Sequence, residues 1–320
     1  MLAAKLPPLY CPFPPTLSPY VEDAEQHTTA WVRHFNLLPD PTAFRRFCMA
    51  QFGSLAAATH PHASRDALDL IADWCSWLFI LDDQSDESGL GARPNELAAL
   101  HSRMVAILCG TVPSTNDQPL AHGLYDLRQR TYSYGSAIWM RRFSAHIQEY
   151  FVAGVWEASN RARGSIPDVA NYVAMRPYTG GLFAYVELLC VTAGVDLPPR
   201  IRKHPNVQQL TCLANNVICW ANDILSYARE QAQGDVHNLV LVMQHEQRLT
   251  LQQAIEQVTE RHDDEMKAFL IAQAALPHFS PAVAADLDHY VELLRSMIRG
   301  SFDWAYATAR HASIERAMAA

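Results

Sequence analysis

The chain has 320 residues, 49% of them hydrophobic, and a net charge of −8. That size supports one large core or two modest ones, and the acidic balance argues against a nucleic-acid surface. Seven irregularly spaced cysteines without a CxxC pair fit reduced, buried thiols in a cytosolic protein better than a disulfide framework. No apolar leader opens the chain and no run reaches membrane-span length, so a soluble, cytoplasmic protein is expected.

In chain order, residues 1–20 hold six of the 19 prolines and cannot be a helix. They read as an extended arm, to be docked on the body by Tyr10, Phe13 and Tyr20. Helical periodicity then covers residues 21–36. Pro41 starts a second helix that ends before His60-Pro61. Ser64 is a good N-cap for a third, running to Asp82. Residues 94–109 form another, followed by a loop from Gly110 to Pro119. Residues 120–160 are long and periodic, with a break near Gly135. A short helix ends around Met175, where Pro177 and Gly180-Gly181 interrupt the pattern, and helix resumes through Leu189. After a proline-marked loop come helices over 206–230, 249–273 and 281–311. No alternating strand pattern or internal repeat is found. The expectation is an all-α protein, a helical bundle of ten or more helices. Residues 21–320 read as a single domain.

Two stretches carry chemistry. Leu68, Ile71, Cys75 and Leu78 form an apolar stripe at helical spacing, and Asp82 and Asp86 continue it. The stripe turns both carboxylates toward the core rather than toward water. Asp83 is rotated by about 100° and serves either as a ligand or as a salt-bridge partner. Asp86 and Glu87 can equally just end the helix. Roughly 140 residues downstream, Asn222, Ser226 and Glu230 fall at i, i+4 and i+8 on one helix face. Amide, hydroxyl and carboxylate all offer oxygen, which suits magnesium or manganese rather than zinc. His237 and the pair His60/His62 lack a carboxylate or thiolate at ligand spacing, which rejects a zinc site. Helical bundles build metal sites from inward side chains on facing helices. Magnesium shares its shell with substrate phosphates, and Arg176, Arg229 and Arg310 are the candidate phosphate binders. Phe52, Phe79, Phe183 and Trp304 are candidates to line an aromatic cavity. Metal and arginine around a departing diphosphate, with aromatic faces for the carbocation left behind, form a coherent set.

These motifs resemble those of the microbial class I terpene synthases, most like the bacterial sesquiterpene cyclases. Asp82-Asp83-Gln84-Ser85-Asp86 matches the aspartate-rich motif. Asn222, Asp223, Ser226 and Glu230 match the second metal motif, with Arg229 as its basic residue. The run from Gln231 to Val240 is also similar to the family. Asn222 counts among the diphosphate contacts as well as the ligands. The resemblance makes Arg176 the diphosphate-sensing arginine, with Thr179 and Gly180 at the linker and effector positions. Trp304 and Arg310 match the C-terminal region, but His311 stands where the family usually has tyrosine, so altered closure is expected. The implied activity is magnesium-dependent ionisation and cyclisation of an isoprenyl diphosphate. Farnesyl diphosphate is favoured by family frequency, with geranyl diphosphate as the alternative. A chain-elongating prenyltransferase would carry a second aspartate-rich motif, and a helical scaffold would not need inward oxygen ligands on two helices. Neither nucleic acid nor membrane is an expected partner, and a helix-packed homodimer is left open.

Overall fold

A computed structural model describes residues 6–87 and 89–308, without the side chains of Asp86, Glu87 and Ala282. Fourteen α-helices and no strand occur among them: α1 (Val21–His34), α2 (Pro41–Ala50), α3 (Phe52–Thr59), α4 (Arg65–Glu87), α5 (Pro94–Leu108), α6 (Pro119–Tyr132), α7 (Ala137–Arg163), α8 (Val169–Thr179), α9 (Leu182–Thr192), α10 (Pro199–Arg202), α11 (Pro205–Gln233), α12 (Leu239–Gln247), α13 (Leu251–Ala274) and α14 (Pro281–Ala307). No helix among the described residues is long and apolar enough to cross a membrane.

Most boundaries follow from local chemistry. The Ser64 hydroxyl accepts from Ala67 N at 3.4 Å ahead of α4. Ser136 caps α7 through Trp139 N, and Gly164 ends that helix at φ 61°, a backbone region that costs glycine little. Asp40, Asp168, Asn238 and Thr250 cap α2, α8, α12 and α13 in the same way.

Two breaks differ from expectation. The helix from Pro41 is split at Gln51, which adopts φ 56° and ψ 59°. No glycine or proline marks the site. The groups freed there find partners elsewhere: Trp304 Nε1 and Thr308 Oγ1 donate to Ala50 O at 2.8 and 2.9 Å, and Ser54 N donates to Glu25 at 3.3 Å. Tertiary hydrogen bonds therefore replace the helical ones. Conversely, α8 does not end at Met175 but runs through Pro177 to Thr179. Gly180 keeps helical dihedrals, and only Gly181, at φ 67°, lies in the left-handed region. The carbonyl of Pro177 accepts from Asn215 Nδ2 at 2.9 Å, so α11 holds this last turn in place.

The core is built on α4, whose Trp74, Trp77, Leu68 and Ile71 are fully buried. Helix α3 packs between α1 and α14 at very close range. A side chain on Gly53 would meet the Glu25 backbone, and one on Gly300 would meet the Ala58 carbonyl. The proline-rich segment is extended as expected, but its anchors are Leu9, Phe13 and Ser18, while Tyr10 and Tyr20 are exposed. Phe13 packs edge-on against Phe269. The seven cysteines are free, yet only Cys75 and Cys219 are buried, and Cys109 and Cys212 are exposed.

Candidate active site

One cavity gathers most of the residues singled out above. Along α4 its lining passes from Cys75, Leu78 and Phe79 to Asp82 and Asp83. Along α11 it passes from Val217 and Ile218 to Asn222, Arg229 and Glu230. The end of α8 adds Arg176, Thr179 and Gly180, and α14 adds Ile298 and Trp304. Both helices thus present apolar wall first and polar groups later. The Asp82 side chain is exposed rather than core-facing, because the apolar stripe surfaces at Leu78. The side chain of Asp86, and Arg310 and His311, lie outside the described residues.

Two aromatic candidates fall elsewhere. Phe52 is buried behind the wall, stacked on Phe79 at 4.4 Å and tilted against Trp304 at 5.8 Å. Phe183 packs outside the cavity on Tyr178 and His146, at 5.6 and 5.9 Å. Periodicity identifies a core-facing side of a helix but not which side of a wall that core is on.

Arg176 is tied into the second motif. Its Nη2 donates to Asn222 Oδ1 at 3.0 Å and its Nε to Asp223 Oδ1 at 2.9 Å. Its Nη1 reaches Thr179 Oγ1 at 3.4 Å, linking it to the residue before Gly180. Burial opposes the charge on Arg176, but the Asp223 carboxylate outweighs it and holds the guanidinium well above its ordinary pKa. Asp223 is itself buried. Its second oxygen accepts from Tyr172 Oη at 2.8 Å and from Leu239 N at 2.9 Å. The pattern Asn-Asp-x-x-Ser marks Asp223 without showing that it anchors Arg176 rather than facing the cavity.

Ser226 is fully buried beneath Glu230. Burial raises the Glu230 pKa, while Arg229 and hydrogen bonds from Asn238 and Ser226 pull it back. Arg229 Nη2 lies 3.4 Å from Glu230 Oε1. Its Nε is buried without a hydrogen-bond partner among the described residues, an orphaned donor at the cavity.

Sequence reasoning assigned no site role to a further polar cluster in the same cavity. Glu157 and Arg161 of α7 line the cavity with Asp235 and His237 from the loop after α11. Arg161 Nη2 donates to Asp235 Oδ2 at 2.7 Å. His237 joins Asp235 to Asn160 through its two ring nitrogens, at 3.0 and 3.3 Å. Burial pushes the Glu157 carboxyl up to about 8; Arg161 and Arg176 lower it, and Asp235 and Asp82 raise it. Glu157 is therefore within electrostatic reach of Asp82 in the first motif and of Arg176, which is bonded to the second. An acid on α7 at i−4 from an arginine reads in sequence as an ordinary surface pair, so no local signal separates it.

Among the described residues, no three His, Cys, Asp or Glu side chains converge as a metal group. The donor set offered by Asn222, Ser226 and Glu230 is a mixed one of amide, hydroxyl and carboxylate oxygens, which fits a hard divalent cation. With Asp82 and Asp83 of α4 lining the same cavity and an orphaned donor on Arg229, the residues present fit metal and an anionic group together.

The comparisons agree with this geometry. The model of terpene synthase family 2, C-terminal metal binding, matches residues 73–268. The chain is 41% identical over 304 residues to a (+)-T-muurolol synthase of Roseiflexus castenholzii, covering 95% of this chain and 93% of the relative. It is 37% identical to a germacrene A synthase of Nostoc punctiforme, covering 97% and 96%. The crystal structure of a linalool/nerolidol synthase from Streptomyces clavuligerus superposes with a TM-score of 0.81 at 25% identity, covering 93% of this chain and 99% of that one. With two motif-bearing helices around one cavity and relatives alike over nearly their whole length, the chain belongs to the terpene synthase family.

Proposed function

We propose that the protein is a class I sesquiterpene synthase that ionises and cyclises farnesyl diphosphate with magnesium, manganese serving as a substitute. The observation that carries this reading is Arg176 bonded to Asn222 and Thr179 at the rim of a cavity walled by Phe79 and Trp304. The names of the Roseiflexus and Nostoc relatives support it, the first being described as farnesyl diphosphate cyclising. On this reading Asp82, Asp83 and Asp86 hold metal from α4, and Asn222, Ser226 and Glu230 hold it from α11. Bound magnesium supplies positive charge opposite the departing diphosphate.

The chain's own residues do the rest. Arg176, Arg229 and Arg310 bind and orient diphosphate together with Asn222. To grip it, Arg176 leaves Asn222, and the pull passes through Thr179 to Gly180 at the end of α8. Closure then assembles the site around a diphosphate only. Phe79 and Trp304 turn π faces to the cation and exclude water. We also take residues 21–320 as one catalytic domain with residues 1–20 as its arm, in a cytoplasmic setting that suits the free thiols. Incubation with geranyl, farnesyl and geranylgeranyl diphosphates, with magnesium or with chelator, followed by gas chromatography and mass spectrometry, tests the proposal. A cyclic fifteen-carbon product that needs the metal and no isopentenyl diphosphate is expected. Absence of product from all three substrates would overturn the reading.

A further inference from the structure

After Glu230, α11 continues to Gln233, the chain turns at Gly234 with φ 78°, and the loop leads back to α12. The residue that starts α12 is Asn238, which is fully buried. Its Oδ1 accepts from Val240 N at 2.9 Å, the N-cap bond of the helix. That bond fixes the orientation of the amide, since an N–H there would face another N–H. Its Nδ2 therefore points back at α11. There it donates to Glu230 Oε2 at 2.8 Å and to the main-chain oxygen of Asp223 at 2.7 Å, with Ser226 Oγ at 3.5 Å between them. The two amide hydrogens meet two short acceptors, so both are engaged.

We propose that Asn238 is a positioning residue for the metal site: its amide sets the rotamer of Glu230, so that Oε1 is the oxygen presented to the cation. This rests on the reading of Glu230 as a ligand. Capping α12 needs only the Oδ1 acceptor, and serine, threonine or aspartate would serve as well. The donor half of the side chain has no capping role and is aimed at the metal-motif face. The same amide grips the backbone of Asp223, whose carboxylate anchors Arg176. One buried side chain thus fixes a ligand and the base of the diphosphate-binding arginine relative to each other. The loop that carries it is also held, because Asp235 accepts from Val236 N and His237 N at 2.7 and 3.0 Å and from Arg161.

The test is Asn238→Ser, which keeps a capping hydroxyl and cannot reach Glu230. Binding of Mn2+ with inorganic diphosphate, read by electron paramagnetic resonance, requires no turnover. Affinity should fall about 10–100-fold, the usual effect of removing an outer-shell partner of a metal ligand. In a Glu230→Gln background the same substitution should change affinity less than about twofold, because its effect runs through the missing carboxylate. Wild-type affinity in Asn238→Ser, or full additivity with Glu230→Gln, would overturn the proposal. If Asn238→Ser does not fold, Asn238→Asp keeps both cap and size, lacks the donors, and is read the same way. If neither folds, Asn238 serves the fold alone and the proposal is wrong. Failure of the unsubstituted protein to bind Mn2+ with diphosphate would instead sink the metal-site reading itself.

Discussion

Asp223 is the group on which the polar end of the cavity should depend most. Its carboxylate accepts from Arg176 Nε and Nη2, from Tyr172 Oη and from Leu239 N. All four partners are donors, so the position demands an acceptor-only side chain. Asp223→Asn keeps the shape but offers one oxygen and turns an NH2 group against two donors. It also leaves the guanidinium of Arg176, with its side chain 13% exposed, without its carboxylate. Breaking a buried pair in this way costs about 3–5 kcal/mol. A chain of 320 residues unfolds with an entropy of about 0.7 kcal/mol/K, so the melting temperature should fall by about 4–7 °C. Tyr172→Phe removes one of the four donors and leaves the carboxylate, and should cost about 1.5–3 kcal/mol. Calorimetry in chelator measures both without substrate. Should Asp223→Asn cost less than Tyr172→Phe, or under about 1 kcal/mol, Asp223 is not the anchor described.

Three further outcomes are expected. Gly300→Ala drives a methyl group into the Ala58 carbonyl where α14 crosses α3, and should cost about 3 kcal/mol; an unchanged melting curve would refute the close approach. Gly180→Ala places its methyl carbon 3.0 Å from Cys219 Sγ and should slow turnover of farnesyl diphosphate more than it weakens an unreactive analogue, with equal effects on both counting against a role for α8 in closure. His27 has its pKa raised, by its hydrogen bond to Asp73 first, against burial and with help from the Asp73 and Asp69 charges. A raised histidine stabilises fully below its unfolded pKa and loses that contribution as pH rises through the folded value. Urea unfolding should therefore show His27→Gln weaker than the unsubstituted protein at acidic pH, with the gap closing on the alkaline side; a gap that widens with pH would reverse the assignment.

The two long helices that frame the cavity were legible because period 3.6 persists over many residues in each. The stripe ending in Leu78 fixed the face of α4, and Asn222, Ser226 and Glu230 defined one face of α11 on their own. The break at Gln51 was not legible, because what stabilises it is Trp304 and Thr308, some 250 residues away. The continuation of α8 through Pro177 was equally hidden, since it depends on Asn215 from another helix. Glu157 escaped notice, and Asp235 and Asn238 were seen only as part of the family-like run from Gln231 to Val240, without a role, for a related reason. Each acts through a partner brought close by the return of a loop, and a single sequence carries no trace of that proximity. Phe52 shows the limit of reasoning from residue type: an aromatic near the motif lay one layer behind the surface it was expected to form.

The proline-rich arm has a consequence for how the chain comes together during synthesis. Tyr10 N bonds Asp263, and the carbonyl of Phe13 accepts from Arg299, at sequence separations of 253 and 286 residues. These are among the longest loops the chain can close, and such contacts form late because ordering entropy precedes their reward. The arm thus leaves the ribosome well before α13 and α14, the helices that carry these partners. Until α13 and α14 emerge, Phe13 lacks both its partner ring, Phe269, and the Arg299 guanidinium that binds its carbonyl. Because Arg299 shares α14 with Trp304, one helix completes both the seat of the arm and the aromatic wall of the cavity.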